Sequence, residues 1–202
     1  MDRANGSFPS RRRLLQLGAL AAAPTALLAT GRADALPLLA TVDYPKAESV
    51  PASKSNYTES GRPLSYPVEF VIVHVTQVDY ATTLDIFRNP AKEVSAHYVV
   101  RSSDGHIAQM VREKNVAWHA GNWDYNTRSI GIEHEGWVDK PEYFTAAMYR
   151  ESAALTASIC TRYGIPKTRE RIIGHAEVPG ADHTDPGPNW DWDRYMRLVA
   201  AA

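Results

Sequence analysis

"VEFVIVHV", Val68 to Val75, is an almost unbroken run of β-branched and aromatic residues set between Pro67 and Gln77. A short apolar run without alternation predicts a strand covered on both faces, the kind found inside a sheet with helices on each side. His74 stands at the C-terminal end of that run. Beyond it, Asp79 is placed to cap a short helix carrying Leu84, Ile86 and Phe87, which stops before Pro90.

Working outward, "SAHYVVRSSDGHIAQMV" predicts a hairpin, with Val99 and Val100 before the turn Ser102-Ser103-Asp104-Gly105 and Ile107, Met110 and Val111 after it. "SIGIEHE" alternates strictly. Ile130, Ile132 and His134 share one face of that strand, and Gly131, Glu133 and Glu135 the other. If the isoleucines face the core, the glutamates face a cleft or solvent. Thr145 is placed to cap a long helix through Met148, Leu155, Ile159 and Tyr163, ended by Gly164 and Pro166. "RIIGH" is a short strand that delivers His175, and "NWDWDRYMRLVAAA" is an amphipathic closing helix. Mixed strands and helices give an α/β or α+β class with a central mixed sheet.

The ends and the composition set the bounds. The chain has 202 residues, net charge −1 and 44% hydrophobic residues, which suits one domain with a core and excludes disorder or a general polyanion-binding surface. Nucleic acid is not expected as a partner. Arg11, Arg12 and Arg13 precede an apolar run from Leu14 to Thr30 and then Ala33-Asp34-Ala35. That order predicts a signal peptide over 1–35 of the twin-arginine type, and Pro24 breaks a run already short for a membrane span. The mature form has no predicted span and is expected outside the cytoplasm. Residues 36–67, rich in Pro, Ser, Ala and Lys, read as an extended arm, leaving 68–202 as the domain. Cys160, the single cysteine, has no partner for an internal disulfide and reads as a small buried hydrophobe.

His74 and His175 each end a predicted strand, and they converge if those strands are neighbours. A catalytic zinc needs three protein ligands and one open position, drawn here from histidine nitrogen and carboxylate oxygen. The third ligand is sought in "GHAEVPGADHTDPGP", Gly174 to Pro188, a rigid, irregular loop. His183 and Asp185 lie one residue apart and point to the same side of an extended stretch, so spacing does not choose between them. Each of these residues taken singly has a plainer reading: a hydrogen-bonded structural histidine, or an aspartate that merely opens a turn.

"FVIVHVT", "AWHAGNWDYNTRSIGIEHEG" and "IIGHAEVPGADHTDPGP", in that order, resemble the zinc-dependent N-acetylmuramoyl-L-alanine amidases, the group that includes peptidoglycan recognition proteins and phage T7 lysozyme. The arm and export signal look most like secreted actinobacterial members. The resemblance, from about Val68 to Tyr195, implies an α/β fold with a mixed central sheet flanked by helices, and Zn2+ held by His74, His175 and Asp185. It makes Glu133 the catalytic glutamate and puts His183 where many members carry a lysine. Unlike lysine, an imidazole near a dication need not be charged, yet it can still donate an N–H bond to an oxyanion. Ala96 stands where some members have a catalytic tyrosine, leaving proton transfer to Glu133.

The implied substrate is bacterial cell-wall peptidoglycan or its fragments, cut at the amide between N-acetylmuramic acid and L-alanine. A non-catalytic peptidoglycan-binding module is the alternative, and all three candidate ligands being present favours the enzyme. A peptidase of the His-Glu-x-x-His kind finds no such motif here. Trp118, His119 and Trp123 are expected to wall the substrate groove, with Trp118 alternatively packing in the core. Arg128 is expected to meet a stem-peptide carboxylate or to be an ordinary surface arginine.

Overall fold

The apolar run forms strand β3, Phe70–Val75, and both its faces are covered. The computed structural model describes residues 42–202, so the expected signal peptide over 1–35 lies outside the described residues. Strand β3 pairs in parallel with β7 (Ser129–His134) on one side and β8 (Ile172–Gly174) on the other. Beyond β7 come β4 (Tyr98–Val100), β5 (Ile107–Gln109) and β1 (Glu48–Ser49), giving the order β1-β5-β4-β7-β3-β8. Only β4 and β5, the predicted hairpin, pair antiparallel in this sheet. The class is α/β with a mixed sheet, as the resemblance implies.

Alternation decides what each face does. Val71, Val73 and Val75 of β3 and Ile130 and Ile132 of β7 pack on Met148, Leu155 and Ile159 of helix α3, Ala146–Tyr163, and on Tyr195 and Val199 of helix α4, Trp192–Ala201. Burying each large aliphatic side chain contributes about 1.5–3 kcal/mol, so this face anchors the sheet. Thr145 caps α3 by accepting from the Met148 N–H, and the helix stops at Gly164. Cys160 is buried in the same cluster. The other face carries α1, Tyr80–Arg88, capped by Asp79, and the short helix α2, Trp123–Arg128. On that face β3 turns His74, and β7 turns Ser129, Gly131 and Glu133, away from the main core.

Residues 42–67 do more than the expected arm. Strand β1 joins the sheet edge, and β2, Tyr57–Thr58, pairs antiparallel with β6, Val116–Ala117. Arg62 is buried and donates to the carbonyls of Glu113 at 2.7 Å, Thr127 at 3.0 Å and Ser129 at 2.8 Å. Strands of two residues carry no period to read, and a buried arginine looks in sequence like any surface charge. Among the described residues no helix is long and apolar enough to cross a membrane.

Candidate active site

The sheet places the first three groups by register. His74 of β3 sits opposite Glu133 of β7, and Val73 sits opposite Gly174 of β8, the residue before His175. Three neighbouring parallel strands therefore end with His175, His74 and Glu133 in one row, at the carboxyl edge where α/β sheets bind ligands. The loop after β8 supplies the fourth. Its Asp185 accepts from the Val75 N–H at 3.3 Å through Oδ2, while its carbonyl accepts from the Ala176 N–H at 2.9 Å. Gly174 makes that approach possible, because a Cβ there would stand 2.6 Å from Pro186 Cδ.

His74, His175 and Asp185 are all buried, and each offers a ligand atom within 4.8 Å of the others. Nδ1 of His74 lies 3.3 Å from Asp185 Oδ2, and Nδ1 of His175 lies 3.1 Å from Asp185 Oδ1. Burial holds His74 below the ordinary imidazole pKa, so its neutral ring has a lone pair to give. For Asp185, burial pushes the carboxylate pKa up, but hydrogen bonding to His175 and His74 outweighs it and holds the group ionised. Two imidazoles and one carboxylate are a donor set that fits zinc. Spacing left His183 and Asp185 equal; the fold turns Asp185 inward and leaves the His183 side chain 59% exposed, stacked on the His175 ring at 4.4 Å.

These groups open onto a cavity of about 440 Å³ lined also by Glu133, His183, Trp118 and Asn126. Glu133 Oε2 is buried with no hydrogen-bond partner among the described residues. Burial first, and the Asp185 charge second, raise its pKa well above the usual carboxylate range. Trp118 is half-buried, and its Nε1 donates to Thr58 Oγ1 at 3.0 Å, which fixes the indole as a cavity wall. Gln77 and Glu93, both in the left-handed backbone region, line the same cavity. Residues held there cost of order 1–3 kcal/mol and concentrate at ligand sites.

Of the expected groove residues, His119 lines the cavity beside Trp118, whereas Trp123 and Arg128 lie outside it. His119 is buried for most of its surface, and its Nδ1 also lies 2.9 Å from His74 Nε2, so it meets the cluster as well as the cavity. Trp123 starts α2 with half its surface exposed and is absent from the cavity lining. Arg128 is held by Glu69 and Asp124 and also lies outside it. Helix α2 carries both away from the strand ends, a turn that the sequence did not announce. Asn126 went unremarked in the sequence, yet its Oδ1 accepts from the His119 N–H at 3.0 Å and the Ala120 N–H at 2.8 Å, which shapes the cavity wall. An asparagine inside a short helix carries no signal of that role.

The model of the family described as N-acetylmuramoyl-L-alanine amidase matches residues 64–188. The chain belongs to this amidase family. It is 39% identical over 175 residues to N-acetylmuramoyl-L-alanine amidase A of Achromobacter lyticus, a match covering 78% of this chain and 96% of that one. Against the 1,6-anhydro-N-acetylmuramyl-L-alanine amidase AmpD of Citrobacter freundii the identity is 43% over 112 residues, covering 52% of this chain and 57% of the relative. The crystal structure of a selenomethionine derivative of AmpD superposes with a TM-score of 0.63 at 30% identity, covering 79% of this chain and 99% of that one. Escherichia coli AmiD, solved with anhydro-N-acetylmuramic acid-L-Ala-D-gamma-Glu-L-Lys, shares the fold at a TM-score of 0.56 and 24% identity, covering 72% of this chain and 66% of that one.

The metal-free fold is also expected to be acid-labile. Burial is the first cause that lowers His74, His97, His119 and His134, the last to about 3. The unfolded chain regains imidazoles of pKa ~6.5 and binds more protons than the fold below that pH. Stability is then full above ~6.5 and falls on acidification, by up to about 1.4 kcal/mol per pH unit for each histidine. Thermal unfolding of chelator-treated protein between pH 7.5 and 5 should show the midpoint dropping. A flat profile would mean that these rings are already charged in the fold.

Proposed function

We propose that the chain is a zinc-dependent N-acetylmuramoyl-L-alanine amidase, hydrolysing the amide between the lactyl group of N-acetylmuramic acid and the L-alanine of the stem peptide. The observation that carries this reading is the row of His175, His74 and Glu133 on adjacent strand ends with Asp185 folded onto it. His74, His175 and Asp185 would hold the ion. Zinc bound there supplies Lewis-acid chemistry, lowering the pKa of water from ~15.7 towards ~7 and drawing charge from the scissile carbonyl.

Glu133 accepts a proton from the attacking water as its oxygen bonds to the carbonyl carbon. The same carboxyl then gives that proton to the amide nitrogen as the C–N bond breaks, leaving a lactyl carboxylate and a free alanine amine. Its Oε2 faces this step without a competing hydrogen bond among the described residues. His183, at the open side of the cavity, donates an N–H to the oxyanion that forms on the carbonyl. Trp118 gives an aromatic wall for sugar or peptide.

Mass spectrometry of digested cell wall tests this reading through the new chain ends. Free L-alanine amines with intact glycan support it; bound but uncut wall would instead mark a recognition module. His183→Lys should keep activity within about tenfold if its task is to donate a proton to a hydrogen bond, since both side chains supply N–H groups. Loss of all turnover in that variant would assign the imidazole a role of its own. We further propose that the chain acts outside the cytoplasm, exported by its twin-arginine-type N-terminus, in the manner of secreted actinobacterial amidases. The support is the sequence of Arg11 to Ala35, and a fusion of 1–35 to a reporter tests it.

A further inference from the structure

The ring of His119 fills a notch on the site face of β7. A Cβ on Gly131 would stand 2.6 Å from that ring, so the strand makes room for it with a glycine between Ile130 and Ile132. On one side His119 Nδ1 faces His74 Nε2 at 2.9 Å; on the other, His119 Nε2 faces Ser129 Oγ at 3.2 Å. Ser129 Oγ in turn lies 2.6 Å from the carbonyl of Tyr125. All three side chains are buried.

The proton positions along this chain follow from its last member. A carbonyl can only accept, so the Ser129 hydroxyl proton points at Tyr125 and its oxygen must accept from His119 Nε2–H. A neutral imidazole has one proton, which leaves His119 Nδ1 bare and able only to accept. His74 must therefore carry its proton on Nε2, and its Nδ1 lone pair is turned towards Asp185, 3.3 Å away. The origin of the relay is itself fixed, because Arg62 Nη1 donates to the Ser129 carbonyl at 2.8 Å.

We propose that His119 is a positioning residue which, with Ser129, sets the tautomer and ring orientation of His74 so that Nδ1 is always the nitrogen presented to the metal. This rests on His74 being a zinc ligand, as proposed above. Hydrogen-bond partners behind ligating histidines commonly govern affinity by 10–100-fold. Without the Ser129 hydroxyl, His119 has no reason to keep its proton on Nε2. With the proton on Nδ1, it would face His74 as a donor and favour the tautomer in which Nδ1 of His74 is blocked.

The test uses the full chain loaded with zinc and a chelator competition for the ion. Ser129→Ala and His119→Leu should weaken zinc binding by about 10–100-fold. His119→Asn, whose amide oxygen can accept where Nδ1 did, should recover most of the loss. Equal zinc affinity in wild type and Ser129→Ala overturns the proposal, whereas a wild type that binds no zinc overturns the metal reading itself. A merely structural role would lower the melting temperature of all three variants alike, with no rescue of affinity by asparagine. Nitrogen-15 spectra of side-chain-labelled histidine in the wild type give a readout independent of any variant's folding. His119 is expected protonated at Nε2 and bare at Nδ1, and the opposite assignment sinks the relay.

Discussion

Glu133→Ala should leave the zinc bound and lower turnover by about two to four orders of magnitude, the span typical of a lost general acid–base. The two outcomes separate because of where the side chain stands. Glu133 is opposite His74 in register yet is not one of the three residues whose donor atoms converge. Its Oε2 is buried and has no hydrogen-bond partner among the described residues, so none of them competes with a water or an amide nitrogen for it. Alanine removes the proton carrier and leaves the cavity open. Metal content and kcat on soluble muropeptides, measured on the same preparation, check both halves. Near-normal turnover would assign the proton transfer to another group, and lost zinc would make Glu133 a ligand.

Asp185→Ala should empty the metal site. Asp185 is the only anion of the three, it faces both Nδ1 atoms, and the Val75 N–H fixes its orientation. Zinc per chain is expected to fall from about one to near zero at chelator levels the wild type tolerates, and activity falls with it. Two imidazoles remain, one in strand β3 and one just after strand β8, too few for a three-ligand set. A full complement of zinc in this variant would remove Asp185 from the ligands and reopen the choice between it and His183.

Much of this site was readable along the chain. Strand β3, the β4–β5 hairpin, the alternation of β7 and the caps Asp79 and Thr145 all declared themselves, because each depends on residues within a few positions of one another. The same local signals put His74 and His175 at strand ends and set Glu133 on the face opposite the isoleucines. Helix α2 was harder. It is six residues long, and it sets Trp123, expected at the groove, and Arg128, expected at a stem-peptide carboxylate or on the open surface, outside the cavity lining.

His119 shows the limit most clearly. Nothing near it in sequence distinguishes a groove wall from a partner of a metal ligand, since its role depends on Gly131 leaving a notch and on Ser129 lying behind it. Arg62 is a second case, for its acceptors are carbonyls from two other segments that only the folded chain brings together.

The sequence alone determined the longer elements, the inward and outward faces of their strands, and the chemical kinds of group that a metal hydrolase requires. Tertiary structure decided which strands are neighbours, that Asp185 rather than His183 closes the cluster, and which histidine stands behind another. Periodicity and capping act over one turn or one pleat and so are written locally. Side-chain convergence depends instead on parallel pairing between distant strands and on where a residue without a Cβ lets another chain segment in.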